Sequence, residues 1–169
     1  ALHISRQRLH KLRRGDGQVY VESEYPNLIF LKDGELFKIE GSQYLVLGGG
    51  YSSDYFSRML NNEGWWPDEE LSKIEWQKII GRLEEKNQKD LDLLNLIVLS
   101  HVLPKSCAKV FTERKQTSRT EEKMDEILER FGSSIKAWYA GHYHINEERN
   151  MSENWKGEVK IFYDCFWKE

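Results

Sequence analysis

The chain has 169 residues, 31% charged and 12% aromatic, with a formal net charge of −3 at pH 7. This composition predicts one globular domain over residues 1–169, and it excludes a disordered chain or a duplex-binding protein with a global basic field. No apolar run approaches the roughly 18–20 residues that cross a bilayer, and two cysteines are too few for a secreted disulfide framework, so we expect a cytoplasmic protein without membrane association.

Residues 1–14 are basic and contain Leu2, Leu9 and Leu12, a pattern compatible with a short helix or with a solvated terminus. Four strand-like runs follow, and the last three are separated by Asp33-Gly34 and Glu40-Gly41, which are typical hairpin dipeptides. We expect the four runs to be antiparallel neighbours in one sheet. They cover residues 19–21, 28–31, 36–39 and 44–47.

Three glycines at 48–50 follow the fourth run and precede Ser52 and Ser53. A glycine-rich segment after a strand can cradle phosphate, but this one does not match G-x-x-x-x-G-K-[ST] and has no lysine in the required place. A tight turn is therefore the favoured interpretation.

Two capping boxes predict helices, one beginning at Ser72 with Glu75 and ending near Gln88, the other beginning at Ser118 with Glu121. Each predicted helix has four apolar residues at helical spacing that would face a core. These are Trp76, Ile79, Ile80 and Leu83 in the first, and Met124, Ile127, Leu128 and Phe131 in the second.

Residues 104–111 form a loop or a short helix between the two predicted helices, and residues 146–155 are polar and predict a loop. Cys107 is interpreted as a small packed side chain, with a nucleophilic pair between Cys107 and His101 as the minor alternative.

Histidines follow two short apolar runs, 93–99 and 135–140, that have the character of buried strands. Side chains just past such strands lie at the carboxyl edge of a sheet, where open α/β folds bind ligands. In an extended segment His142 and His144 would point the same way, and His101 would arrive beside them from the other strand. Three imidazoles at one edge predict a metal site, although a single histidine is more often an ordinary surface or hydrogen-bonded residue.

The sequence around these histidines resembles the motifs of a known family. Leu99-Ser100-His101-x-x-Pro104 and Gly141-His142-x-His144 are similar to the last two motif blocks of the calcineurin-like metallophosphoesterases. The segments LGGGYSSD at 47–54 and GWWPDEELS at 64–72, with Arg58 between them, resemble the GGA-S-x-D and W-x-P-[DE]-E segments of a bacterial and phage branch. Residues 25–165 follow the order of the family's blocks.

The resemblance implies an α/β fold with mixed β-sheet layers flanked by helices, and hydrolysis of phosphomonoesters or phosphodiesters at a two-metal site. His101 and His142 would bind one divalent ion and His144 the other, the ions being Mn, Fe, Zn or Ni. Arg58 would bind the substrate phosphate, or else form a surface salt bridge. Nucleic acid would enter only as a substrate.

At the N-terminus, the spacing matches His3 to the family's histidine that assists the leaving group, with Leu2 replacing a metal-ligating asparagine. A competing alignment takes residues 2–5 as the first-strand block, with Arg6 at the position of a ligand aspartate. The spacing favours the first alignment.

The family's first two blocks, D-x-H and G-D-x-x-D, are absent from this sequence. The chain therefore resembles the C-terminal two-thirds of the family, and we expect an N-terminally truncated fold whose open sheet edge needs a homo-oligomer or a partner chain. Three interpretations follow: a phosphoesterase completed by residues elsewhere, a non-catalytic binding or inhibitory protein such as a phage-encoded one, or a single-metal site completed by Asp54 or Asp164.

Overall fold

The computed structural model describes residues 9–14, 17–52, 54–61, 69–89, 95–113, 118–152 and 155–164. Within these ranges the chain has a mixed α/β fold, with a three-stranded antiparallel sheet, a six-stranded mixed sheet and four α-helices. The predicted α/β class is confirmed at this level.

The small sheet consists of β1 (Leu9–Arg14), β2 (Gly17–Glu22) and β3 (Tyr25–Leu31). The large sheet consists of β4 (Leu36–Ile39), β5 (Ser42–Leu47), β6 (Leu96–Ser100), β7 (Ile135–Ala140), β8 (Glu147–Asn150) and β9 (Glu158–Ile161). The helices are α1 (Tyr55–Asn61), α2 (Lys73–Lys89), α3 (Lys105–Phe111) and α4 (Arg119–Phe131), and a 3₁₀ turn, Gly132–Ser134, follows α4.

The strands of the large sheet lie in the order β4-β5-β6-β7-β9-β8. The four central strands are parallel to one another, and β4 and β8 are antiparallel at the two edges. Parallel strands end on the same side of a sheet, so the segments that follow β5, β6, β7 and β9 meet at one carboxyl edge.

The main core lies between the central strands and the helices. Both predicted helix faces are buried in it, and both capping boxes are present: Ser72 Oγ accepts a hydrogen bond from Glu75 N at 3.3 Å, and Ser118 Oγ accepts one from Glu121 N at 3.1 Å. The carboxylates of the two glutamates accept the amides of Ser72 and Ser118 in return, each at 2.8 Å. The two helices are therefore predicted correctly from local signals alone.

The four early strand runs do not form one antiparallel sheet, contrary to expectation. Glu40 and Gly41, with φ of 50° and 86°, do close the hairpin between β4 and β5. Asp33-Gly34 does not close a hairpin, because Gly34 N donates to Val46 O at 2.7 Å and the Asp33 carboxylate accepts from Gly48 N. That segment instead carries the chain from the small sheet to the large one.

Two further segments differ from the prediction. Residues 9–14 form β1, not a helix, because they pair with β2 along their whole length. Residues within the predicted polar loop at 146–155 form β8, a polar edge strand on β9. An edge strand that faces water lacks the apolar alternation that identifies strands in a sequence.

A second, smaller core joins the two sheets. Val19 and Val21 of β2 pack with Phe37 of β4, and Ile29, Leu31 and Val46 surround them. Among the described residues, no helix is long and apolar enough to cross a membrane.

Candidate functional site at the carboxyl edge

The carboxyl edge of the large sheet brings together segments that are far apart in the sequence. Glycines 48–50 follow β5, His101 follows β6, residues 141–144 follow β7 and residues 162–164 follow β9. Backbone hydrogen bonds continue past the strand ends: Gly141 N donates to His101 O at 3.2 Å, and Phe162 N donates to Ala140 O at 2.9 Å. The loops are thus held to one another directly above the buried sheet.

Two of the three predicted histidines meet at this edge. His101 Nε2 lies 3.1 Å from His142 Nδ1, and the ring centroids are 4.9 Å apart with planes inclined at 72°. This contact joins the two motif segments, which end adjacent parallel strands β6 and β7. The predicted meeting of these two histidines is confirmed.

Gly50 makes room for the His101 ring. A Cβ atom at position 50 would lie 2.9 Å from His101 Cδ2, closer than real Cβ contacts come. A glycine is therefore required here by the approach of the imidazole and not by a left-handed backbone.

The glycine segment at 48–50 is irregular backbone and not the predicted tight turn, and its amides do not form a phosphate cradle. Gly48 N donates to Asp33 Oδ1 at 2.6 Å, and Gly50 N donates to Glu69 O at 3.0 Å. Two of the three amides that a phosphate would use are therefore already engaged within the protein.

The environment of His101 favours the neutral imidazole. His101 is exposed overall, but one side of its ring lies against Gly50. This partial burial lowers the pKa of His101 below its ordinary value of 6.5. A neutral ring keeps a nitrogen lone pair available, and this is the form that binds metal ions.

The segment after β7 is not extended, contrary to the sequence argument. His142 and His144 both have left-handed backbones, with φ of 68° and 55°, and Tyr143 N turns back to Gly141 O at 2.8 Å. Such backbones cost about 1–2 kcal/mol for a residue other than glycine. Two of them within three residues concentrate strain at the candidate site.

This turn separates the two histidines of the H-x-H motif. The His144 ring stacks on Tyr163, with centroids 4.6 Å apart and planes at 21°. Among the described residues, no three His, Cys, Asp or Glu side chains lie close enough to hold a metal ion together. The structure therefore forms a histidine pair and not the three-histidine site that the sequence predicts.

The pair is nevertheless suitable for one metal ion. Two nitrogens, each about 2.1 Å from a shared ion, lie about 3 Å apart, and the observed separation is 3.1 Å. The two nitrogens are in hydrogen-bond contact with each other, and their separation is also that of two imidazole ligands of one divalent ion. The described residues supply no third donor for such an ion. They do not supply the donors of a two-metal centre.

The carboxylates considered as further ligands are engaged elsewhere. Asp54 Oδ2 accepts a hydrogen bond from Arg58 Nε at 2.7 Å on the exposed surface of α1, and this bond lowers the pKa of Asp54. The Asp164 carboxylate accepts from Asn146 Nδ2. The role of Arg58 as a phosphate ligand stays a prediction, and the structure supports its salt-bridge alternative.

His3, the predicted catalytic histidine, lies outside the described residues. Cys107 is buried, as interpreted from the sequence, and burial raises the pKa of its thiol to about 12. A thiol with so high a pKa carries little thiolate at neutral pH, so the alternative of a Cys107–His101 nucleophile has no support.

Sequence reasoning missed the polar contacts that support the edge. Tyr143 Oη accepts a hydrogen bond from Leu103 N at 3.0 Å, which ties the β7 loop to the segment that follows His101. Asn146 Oδ1 accepts from Tyr163 N at 2.8 Å and so fixes the ring on which His144 stacks. Neither contact has a local sequence signal, because the two join residues that are 40 and 17 positions apart.

Comparison of the chain with protein-family models, curated proteins and solved structures found no match in any of the three searches. Two observations therefore bear on function: the geometry of the histidine pair and the motif resemblance in the sequence.

Proposed function

We propose that the chain is a metal-dependent phosphoesterase domain that binds a divalent ion through His101 and His142. The observation that carries the proposal is the 3.1 Å contact between His101 Nε2 and His142 Nδ1. Two motif blocks of the metallophosphoesterase type each contribute one of these histidines, and the rings meet because the two blocks follow adjacent parallel strands.

The chain's own residues have three tasks in this proposal. His101 and His142 hold the ion, Gly50 leaves the space that the first ring occupies, and the strained turn at His142 orients the second ring. When bound, a divalent ion would polarise a phosphoryl oxygen and lower the pKa of a coordinated water. Fe, Zn and Ni suit imidazole ligands, and Mn is the further ion that the motif resemblance implies.

The donor set limits what this edge can do unaided. Two imidazoles leave most of the coordination shell open, and the family's two-metal chemistry needs a bridging carboxylate as well. We therefore propose that full hydrolytic activity requires additional ligands from a second copy of the chain, so that the purified protein is active by itself. The phosphoester substrate would then bind against the open side of the pair.

A hydrolysis assay tests the proposal. Release of p-nitrophenol from bis-p-nitrophenyl phosphate should depend on added Mn²⁺ and should fall at least about tenfold in His142→Ala. His10→Ala is the matched control, because His10 is an exposed histidine on β1 of the other sheet. Absence of Mn²⁺-dependent hydrolysis, or equal activity in the two variants, would contradict the proposal.

A second candidate is a non-catalytic protein that acts by binding, and helix α1 favours it. This helix has no buried residue, and Phe56, Met59 and Leu60 are 57%, 48% and 67% exposed. Apolar side chains clustered on a solvent-facing helix are typical of an interface. The occupant we propose is a second copy of the chain, in agreement with the expected homo-oligomer.

Light scattering after size-exclusion chromatography tests this candidate. The double variant Phe56→Ser/Leu60→Ser should be monomeric at concentrations at which the unmodified chain is a dimer. Ile74→Ser is the control, since Ile74 is 63% exposed but lies on α2. A monomeric unmodified chain, or a double variant that remains a dimer, would contradict self-association through α1.

A further inference from the structure

A cleft of about 660 Å³ lies between α2, the small sheet and the segment that links the two sheets. Its volume is within the range of about 300–1,000 Å³ that is usual for small-ligand sites. Neither His101 nor His142 lines it, so it is separate from the candidate metal site.

Positive side chains from three different elements line this cleft. Lys11 comes from β1, Lys32 from the link between the sheets, and Lys78 and Arg82 from α2. Lys78 and Arg82 are four residues apart on the helix and therefore lie on the same face. This concentration of cations contrasts with the net charge of −3 of the whole chain.

Three carboxylates offset most of this charge, because Asp33 and Glu75 line the cleft and Glu35 pairs with two of the cations. Asp33 accepts a hydrogen bond from Gly48 N at 2.6 Å, and Glu75 accepts one from Ser72 N at 2.8 Å. Both groups thus have hydrogen-bond partners on the backbone. Lys11 and Lys78 form no ion pair within the part of the chain that the structure describes, and both are exposed.

The other two cations are fixed in position. Glu35 Oε1 lies 3.5 Å from Lys32 Nζ and 3.1 Å from Arg82 Nη1, so one carboxylate holds both side chains. Arg82 Nη1 also donates to Gly34 O at 2.5 Å, and Lys32 Nζ donates to Gln18 Oε1 at 2.9 Å. Within the described residues the Arg82 guanidinium has no further hydrogen bond, and its side chain is 39% exposed, so its remaining N–H groups can reach a ligand.

An aromatic and apolar surface adjoins the cations. Tyr20 is the direct cross-strand partner of Lys11, so the two side chains project from the same face of the small sheet. Leu31, Leu71 and Ile79 complete this part of the lining. A ligand that fits has a multiply charged anionic group and a flat, apolar portion.

We propose that this cleft is a binding site for a nucleoside phosphate. The phosphates contact Lys11, Lys78 and the outer N–H groups of Arg82, and the base lies against Tyr20 and its apolar neighbours. Cations that converge from separate elements favour phosphate, which accepts several charge-assisted hydrogen bonds at once. The aromatic side chain beside them favours a nucleoside over inorganic phosphate.

Isothermal titration calorimetry with ADP in the presence of EDTA tests the proposal, because the chelator removes any contribution from a bound metal ion. We expect saturable binding of ADP by the unmodified chain, with pyrophosphate binding more weakly. Lys11→Ala and Lys78→Ala should each weaken ADP binding by about tenfold, since each removes a contact to a charged group. Lys38→Ala is the control, an exposed lysine on β4 outside the cleft.

Four results would overturn the proposal. Absence of saturable ADP binding would exclude the site, and pyrophosphate affinity equal to that of ADP would exclude the nucleoside portion. Equal ADP affinity in Lys11→Ala, Lys78→Ala and Lys38→Ala would place the ligand elsewhere. If His142→Ala lost ADP binding while Lys11→Ala and Lys78→Ala kept it, the nucleotide would be assigned to the carboxyl edge.

Discussion

The interior of strands β6 and β7 is among the most buried parts of the molecule, whereas the segments a few residues beyond their carboxyl ends are accessible and, at His142, strained. Val98 and Trp138, in the interior of these strands, have no exposed surface. His101 and His142, just beyond the strand ends, contact each other across loops, and His142 has a left-handed backbone. The two regions share the same backbone but differ in what determines their structure.

The difference shows how the chain builds a site. Burial of large apolar side chains in the interior contributes much of the free energy of folding. At the carboxyl edge, His142 and His144 have an unfavourable left-handed backbone, and the stability of the interior offsets the free-energy cost of that conformation. Substitutions in the interior should therefore alter stability, and substitutions at the edge should alter metal binding.

The largest effect is expected in the interior. Trp138→Ala removes a fully buried side chain and its hydrogen bond from Nε1 to Ser100 Oγ at 2.7 Å. The free energy of unfolding in urea should fall by about 3–5 kcal/mol, whereas His142→Ala should change it by less than about 1 kcal/mol. A similar decrease in the free energy of unfolding in both variants would contradict the proposed difference between the interior and the edge.

Gly50→Ala should act on metal binding more than on stability. The added Cβ would meet His101 Cδ2 at 2.9 Å and displace the ring from His142, so Mn²⁺ affinity measured by calorimetry should fall by about tenfold. Gly81→Ala on α2, where an added Cβ meets nothing within 4 Å, is the control. That control should leave Mn²⁺ affinity unchanged and should raise stability by about 0.5–1 kcal/mol.

The strain at the edge can be measured at His144, whose φ is 55°. His144→Gly should be more stable to urea than His144→Ala by about 1 kcal/mol, because glycine adopts a left-handed backbone without steric cost. Both variants lose the stacking on Tyr163, so the difference between them reports the backbone alone. An alanine variant at least as stable as the glycine variant would show that the turn is unstrained.

Asp33 connects the interior to the edge, because its carboxylate accepts the amide of Gly48. Burial raises the pKa of Asp33 above its ordinary value of 3.8, so the folded state binds more protons than the unfolded state between that value and the raised pKa. Stability therefore falls as pH rises through this window. The stability of Asp33→Asn relative to the unmodified chain should rise over the same window and then level off, as measured by urea unfolding at a series of pH values. If the difference in unfolding free energy between Asp33→Asn and the unmodified chain did not change with pH, the raised pKa of Asp33 would be contradicted.

The sequence predicts correctly those parts of the fold whose signals are local. The capping boxes at Ser72 and Ser118 determine where α2 and α4 begin, and the apolar runs identify β6 and β7. The placement of His101 and His142 at one edge also follows from local signals, because both residues end buried parallel strands. Their contact depends in addition on β6 and β7 being neighbours in the sheet.

The remaining features depend on tertiary contacts. Asp33-Gly34 has the composition of a hairpin turn, but hydrogen bonds to β5 and to Gly48 make it a link between two sheets. The H-x-H motif predicts two parallel imidazoles only if the backbone is extended. Long-range contacts separate them instead, with His142 held at His101 and His144 stacked on Tyr163.

The measurement that tests the central claim most directly is the metal content per chain after purification with Mn²⁺, by elemental analysis, for the unmodified chain, His142→Ala and His10→Ala. We predict one tightly bound ion per chain in the unmodified protein and in His10→Ala, and none in His142→Ala, because two imidazoles hold a single ion. No bound ion in the unmodified chain, or an equal content in all three proteins, would contradict a metal site at His101 and His142.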